Sequence, residues 1–236
     1  KRYPVILPEY WSFADGVSLY VLVDVLSELL EDGDVLVPGS SGACSEVTMQ
    51  AFRIRSQVRV LNSQGLGAMG FGIPATIGAC LASGKRRTIC VDGDGGFWMN
   101  IQDLETVRRL DLPAKFFVLN NDGYASIRAT QDNHFDGVFT GAGPDSGLTL
   151  PSIKGVCGAF GMEVFRLERH KDIRESVRDV LASSGPAVCE VMVSPKQVTA
   201  PRLVSSRQPD GRMVSKPLED LAPFLDRKEL KDNMLS

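Results

Sequence analysis

The 236-residue chain has no apolar run approaching the roughly 18–20 residues that a membrane-spanning helix needs, so a helical membrane protein is not expected. It has no run of lysine or arginine either, and its formal net charge is −3, which makes nucleic acid an unexpected partner. No Cys-x-x-Cys pair occurs. The five cysteines (Cys44, Cys80, Cys90, Cys157 and Cys189) are scattered, odd in number and mostly set in apolar runs. That argues against a zinc centre or a disulfide framework, and for reduced core thiols in a cytoplasmic protein. The start, Lys1-Arg2-Tyr3-Pro4, lacks an initiator methionine and has no signal-peptide apolar segment behind it, as expected of a processed chain or a piece of a longer one. Histidine is scarce. His134 lies in a polar stretch where it could face a substrate, and His170 reads as a surface residue ahead of a helix.

What is present is a 43% hydrophobic, 23% charged chain, enough for one large globular domain with at most an extension. Residues 1–17 hold two prolines and no periodicity, and read as a linker. From Ser18, a candidate N-cap, apolar residues at Leu19, Leu22, Val23, Leu26, Leu29 and Leu30 follow helical spacing. Strands are predicted at "DVLV" (34–37), "VRVL" (58–61), "RTICV" (87–91), "KFFVLNN" (115–121), "MEVFRL" (162–167) and "AVCEVMV" (187–193). Between them, helices are predicted over 66–83, near 99–110, at "PSIKGVCGAFG" and at "KDIRESVRDVLASSG", with a polar, glycine-rich stretch over about 122–150. Several strands are apolar on both faces, and strands alternate with helices. The expectation is an open, doubly wound α/β domain over 18–193, with a parallel sheet covered on both faces, and a polar tail over 194–236.

In such a sheet ligands sit at the carboxyl ends of the strands. Four strands end there in small or oxygen-bearing residues: Gly39-Ser40-Ser41-Gly42, Asn62-Ser63-Gln64-Gly65, Asp92-Gly93-Asp94-Gly95-Gly96 and Asn120-Asn121-Asp122-Gly123. Asp94, the Asn121 amide oxygen and the carbonyl of Gly123 make three hard oxygen ligands, suited to Mg²⁺ that shares its other positions with a diphosphate and water. Bare amides at Gly95 and Gly96, opening the next helix, suit the phosphate oxygens. Each motif taken singly is also a common turn. Gly65-Leu66-Gly67-Ala68-Met69-Gly70 offers a competing match to the dinucleotide-binding pattern, with Asp92 as its acid, although three residues separate it from its strand.

Gly93-Asp94-Gly95, followed after 24 residues by Asn120-Asn121, resembles the signature of the thiamine diphosphate-dependent enzymes, and "GLGAMGFGIPATIGA" is similar to a run in their acetolactate synthase-type members. The resemblance covers about 18–193, the C-terminal diphosphate-binding domain of such enzymes. "GYASIRATQ" and the tail are more similar to homologues of sugar-modifying pathways. The resemblance implies that Asp94, Asn121 and Gly123 hold Mg²⁺, and that Ser40, Ser41, Gly95, Gly96 and the Ser126 region contact the diphosphate. It implies that Gly67 accepts from the aminopyrimidine through its carbonyl, and that Met69 is the wedge that bends the cofactor. It also implies decarboxylation of a 2-keto acid such as pyruvate, with transfer of the acyl unit to a carbonyl acceptor, in a homodimer or homotetramer. The acceptor stays open among pyruvate, 2-ketobutyrate and a keto-sugar nucleotide.

Two departures from the family pattern stand out. The family's essential glutamate belongs to an N-terminal pyrimidine-binding domain of the same or a partner chain. Glu46 and Glu105 read as solvated helix residues, so no catalytic residue is assigned here and the isolated chain is expected to be inactive. The family's Gly-Gln-His-Gln-Met loop is replaced by Gly39-Ser40-Ser41-Gly42-Ala43, similar to the small loop of keto-acid decarboxylases, yet their acid after the asparagine pair is Ile127 here. No flavin-binding domain is present from which to read a flavin requirement. A nicotinamide-binding oxidoreductase domain and a non-catalytic domain of the same fold are the competing readings. Phe97 and Trp98 read as apolar anchors.

Overall fold

The computed structural model describes residues 2–39, 42–55, 57–194 and 197–234. Ile6–Gln197 form one compact unit, and the residues before and after it form a second. In the first unit, α1 (Leu19–Leu29) leads to β1 (Val35–Pro38), α2 (Ala43–Ala51), β2 (Arg59–Val60), α3 (Gly72–Ala82) and β3 (Thr88–Gly93). Then come α4 (Asp94–Phe97), a 3-10 stretch over Trp98–Asp103, α5 (Leu104–Arg109), β4 (Ala114–Asn120) and α6 (Ala125–His134). The unit closes with α7 (Ile153–Ala159), β5 (Glu163–Leu167), α8 (Ile173–Ala182) and β6 (Ala187–Met192).

All six strands pair in parallel, in the order β2-β1-β3-β4-β6-β5. This is the doubly wound sheet expected from the alternating pattern. α1, α2 and α8 contact one another or the sheet on one side, while α3, α5 and α7 share a core with the strands on the other. β3 and β4 are buried along nearly their whole length because helices cover both faces, which is why their sequences run apolar without alternating. Lys115 breaks that run, 2% exposed on β4, yet its ammonium donates to the Ser183 carbonyl, the Ser183 hydroxyl and the Gly185 carbonyl at 2.6–2.9 Å. α8 buries Ile173, Val177, Val180 and Leu181, one helical stripe.

Ser18 is the N-cap of α1, but its side chain does not cap. The Leu19 amide instead donates to Gln197 Oε1 at 3.0 Å, while Gln197 Nε2 donates to the Ser18 hydroxyl at 3.2 Å. The stretch at 1–17 contributes a 3-10 turn, Pro8–Ser12, and a fully buried Val17 whose amide donates to the Met192 carbonyl at 2.9 Å.

Three helices differ from expectation. The helix expected over 66–83 begins only at Gly72, because Gly67 and Gly70 take φ of 63° and 85°. Pro74 then falls in the first turn, where no amide is required. The helix expected near 99–110 is broken: a kink at Asn100 (φ −129°, ψ 35°) lies within the 3-10 stretch between α4 and α5. The polar stretch at 122–150 contains the ten-residue helix α6, whose polar composition hid it from an apolar-periodicity reading.

The second unit carries an antiparallel pair, β7 (Ser205–Arg207) with β8 (Met213–Ser215), and α9 (Arg227–Met234). Within it, Arg227 pairs with Asp220 at 2.8 Å, and Glu229 accepts from Arg2 and Tyr3, each at 2.7 Å.

Candidate functional site

The chain turns one way from β1 to β2 and the other way to β3, so the carboxyl ends of β1 and β3 flank the point where the strand order reverses. Ligands of open α/β sheets bind at such a crevice. The residues that leave the edges are Gly39 after β1, 94–96 after β3 and 121–124 after β4.

Asp94, the first residue of α4, is 2% exposed and joins the last two segments. Its Oδ1 accepts from the Gly95 amide at 2.7 Å, and its Oδ2 accepts from the amides of Asn121 and Gly123 at 3.1 and 3.0 Å. Burial pushes its carboxyl up to about 6, while the Gly123, Gly95 and Asn121 amides and the Arg128 charge oppose the rise. Thus the two motifs that flank one helical excursion in sequence meet at a single carboxylate.

Gly95 and Met69 also come together. A β-carbon at Gly95 would lie 2.3 Å from Tyr124 Cε1, so only a glycine admits that ring, and it would lie in ordinary contact with Met69 Cε at 3.5 Å. Gly42, with φ 66°, faces Ser126: a β-carbon there would lie 2.6 Å from the Ser126 hydroxyl. Gly96 lies against Asp92, whose Oδ1 would be 3.0 Å from a β-carbon at that position. Gly67 ends a turn in the left-handed region. Ser40 and Ser41 lie outside the described residues. His134 is exposed at the end of α6, whereas His170 is half-buried and its Nδ1 accepts from the Ser18 amide in a long contact of 3.4 Å. Glu46 sits in the first turn of α2 and Glu105 pairs with Arg108 at 2.5 Å on α5. Phe97 is fully buried edge-to-face with Phe116, at 5.9 Å between ring centroids.

Several residues of the site were not assigned to it by sequence, Asp92 having been read only as the acid of the competing dinucleotide pattern. Asp92 is 5% exposed, wedged beneath Gly39 and Gly72, where β-carbons would approach its oxygens to 2.3 and 2.2 Å. Its Oδ2 has no hydrogen-bond partner among the described residues, and burial pushes its carboxyl up to about 7. Arg128 on α6 donates from Nη2 to the Asn121 carbonyl at 2.7 Å and to Asn121 Oδ1 at 3.3 Å, and from Nη1 to the Asp122 carbonyl at 3.1 Å. Only its spacing of seven residues after Asn121, across a turn into a helix, could have signalled this. Asn100 uses its kinked backbone to donate from Nδ2 to the Gly70 carbonyl at 2.8 Å, tying the Met69 loop to the segment after α4.

Among the described residues no group of three or more His, Cys, Asp and Glu could hold a metal ion. A hard cation here would therefore rely on a mixed set of one carboxylate, one amide oxygen and one main-chain carbonyl. Asp94 Oδ1 accepts a single hydrogen bond and the Gly123 carbonyl accepts none among the described residues, so these two oxygens suit a cation, while Asn121 Oδ1 accepts a long contact of 3.3 Å from Arg128 Nη2 that a cation would replace. The dinucleotide pattern does not fit: no helix begins within 65–70, α3 starting only at Gly72, and its acid, Asp92, is enclosed by glycines.

Residues 40–191 match the family model described as "Thiamine pyrophosphate enzyme, C-terminal TPP binding domain". Among curated proteins, the chain is 32% identical to "Probable acetolactate synthase 2, chloroplastic" of Oryza sativa subsp. japonica, over 84% of this chain and 30% of the relative. It is 29% identical to "Acetolactate synthase, chloroplastic" of Arabidopsis thaliana, over 87% of this chain and 31% of that protein. It is 28% identical to "Acetolactate synthase isozyme 1 large subunit" of Escherichia coli (strain K12), over 85% of this chain and 34% of that protein. The chain thus spans about a third of the length of these relatives.

Proposed function

The chain belongs to the thiamine pyrophosphate enzymes, as their C-terminal cofactor-binding domain, and from that membership we propose that it holds the cofactor's diphosphate through Mg²⁺ in an enzyme acting on a 2-keto acid. The observation that carries the metal reading is the meeting of Asp94 with the main chain of Asn121 and Gly123 at the carboxyl edge of the sheet. Asp94, Asn121 Oδ1 and the Gly123 carbonyl would hold Mg²⁺, which takes about six oxygens and shares them readily with phosphates and water. The amides of Gly95 and Gly96, with the Ser126 region, would bind diphosphate oxygens. Ser40 and Ser41 complete that set in our reading.

Bound there, thiamine diphosphate supplies the electron sink for loss of carbon dioxide from the keto acid. What the chain contributes is orientation. Met69, close to Gly95, would lie between the cofactor's two rings, and the Gly67 carbonyl would accept from the aminopyrimidine. The burial that raises the Asp94 carboxyl is the kind that a dication reverses, because the nearby charge favours the ionised form. The proton-relaying glutamate, in this proposal, comes from an N-terminal pyrimidine-binding domain of the same or a partner chain, in a dimer or tetramer. Pyruvate is the proposed donor, and the acceptor is another carbonyl compound. The buried free cysteines are in keeping with a reducing compartment, for which we propose the cytoplasm.

The test is a thermal-melt titration with thiamine diphosphate, with and without Mg²⁺, and with NADH as control. A ligand that binds only the folded chain at about 100 times its dissociation constant stabilises by roughly 2.7 kcal/mol. The expected shift needs thiamine diphosphate and Mg²⁺ together, and Asp94→Ala or Asn121→Ala abolishes it. A shift with NADH alone, indifferent to Mg²⁺, sinks the proposal.

A further inference from the structure

Glu190 lies on β6 and is 6% exposed, an unusual place for a carboxylate. In the sheet register it stands between Val118 of β4 and Arg166 of β5. Its two oxygens look in opposite directions. Oε2 accepts from Arg166 Nη1 at 2.9 Å, and Oε1 accepts from Asn120 Nδ2 at 2.7 Å. A surface ion pair alone would not require burial: the Arg166 side chain is 53% exposed and also binds Glu168 at 2.7 Å. The oxygen that meets Asn120 is the informative one.

Asn120, last residue of β4, passes the contact on. Its Oδ1 accepts from the Asp122 amide at 3.0 Å. Asp122 is a non-glycine residue in the left-handed region, with φ 59°, and Gly123 follows with φ 131°. These unusual angles give the 121–123 turn the shape that sends the Asn121 and Gly123 amides to Asp94. An Asn side chain that accepts from the amide two residues on stabilises such a turn, provided its amide group is held the right way round. One side of Asn120 is open: with Asp94, Trp98 and Asp122 it borders a cavity of about 200 Å³. Hydrogen bonding to Glu190 fixes which end of the Asn120 amide meets Asp122.

We propose that Glu190, acting through Asn120, is a positioning residue for the 121–123 turn and thereby sets the affinity for the metal ion. This rests on the thiamine diphosphate–Mg²⁺ reading of the site. Partners that orient metal ligands from behind typically govern metal affinity by about 10–100-fold.

The test titrates Mg²⁺ at fixed thiamine diphosphate, following cofactor binding by calorimetry, with melting of the ligand-free chain measured in parallel. Asn120→Ala and Glu190→Ala are each expected to raise the half-saturating Mg²⁺ concentration about tenfold or more. The double variant is expected to match the larger single effect, since both changes cut one chain of contacts. Glu190→Gln keeps an oxygen for Asn120 Nδ2 and is expected to stay closer to the parent than Glu190→Ala. If the single variants lower only the ligand-free melting temperature and leave the Mg²⁺ midpoint in place, or if their effects multiply, the proposal is overturned. Should Glu190→Ala fail to fold, Glu190→Asp, whose shorter side chain draws the oxygen back from Asn120 Nδ2, takes its place beside Asn120→Ala and is judged by the same criterion. Absence of Mg²⁺-dependent binding in the parent chain would instead overturn the functional reading, and this inference with it.

Discussion

His170 joins two parts of the chain distant in sequence, because its Nδ1 faces the Ser18 amide at the start of α1. Burial holds its imidazole below the usual 6.5, with a main-chain contact to Trp11 opposing the shift. A base depressed in the folded state binds fewer protons there than in the unfolded chain, so stability rises with pH across that window. Its contribution is complete above about pH 6.5 and is lost as pH falls through the folded value. His170→Gln is therefore expected to flatten the loss of melting temperature between pH 7 and pH 5, as read by circular dichroism; an unchanged slope would remove His170 from the account. Asp94 and Asn121 were legible at the residue scale because acid, amide and glycine cluster after apolar runs. Asp92, Arg128, Asn120 and Glu190 were not marked out as site residues. Their importance lies in which atom each side chain meets, and nothing in spacing specifies that.

Elements were legible wherever burial wrote the sequence. Strands covered on both faces need continuous apolar side chains, and all six expected strands appear in one parallel sheet. Helix ends were less legible, since glycines with positive φ and side-chain caps decide them. α7 is the clearest case of a capped start: the Ser152 hydroxyl accepts from the Gly155 amide at 3.2 Å. Because α7 packs on β5 and β6 and places Ile153 and Cys157 in the core, losing this cap should be felt by the whole domain. Ser152→Ala is expected to destabilise by about 1 kcal/mol in chemical denaturation, with the denaturant slope unchanged. α6 escaped notice because it has no buried residue and hence no apolar stripe.

At the scale of the whole molecule, the core and the proposed site both belong to Ile6–Gln197. That unit expressed alone is expected to melt cooperatively and to keep the Mg²⁺ dependence of thiamine diphosphate binding, measured by the same thermal titration as the longer chain. A molten or non-cooperative product would show that the remaining residues are needed for the fold. Turnover of a 2-keto acid is expected only when a domain supplying the missing glutamate is added.

The sequence by itself determined the layer architecture, since hydrophobic burial is a property of each segment and repeats along the chain. It also determined the residue types at the carboxyl edge and, through the Gly93-Asp94-Gly95 and Asn120-Asn121 spacing, the family. Tertiary structure alone decided that one carboxylate, Asp94, accepts from the Asn121 and Gly123 amides, that Met69 comes close to Gly95, and that Glu190 on β6 accepts from Asn120 on the neighbouring β4. Those contacts join residues about 26 to 70 positions apart, and only strand order and register bring them within hydrogen-bonding or packing distance.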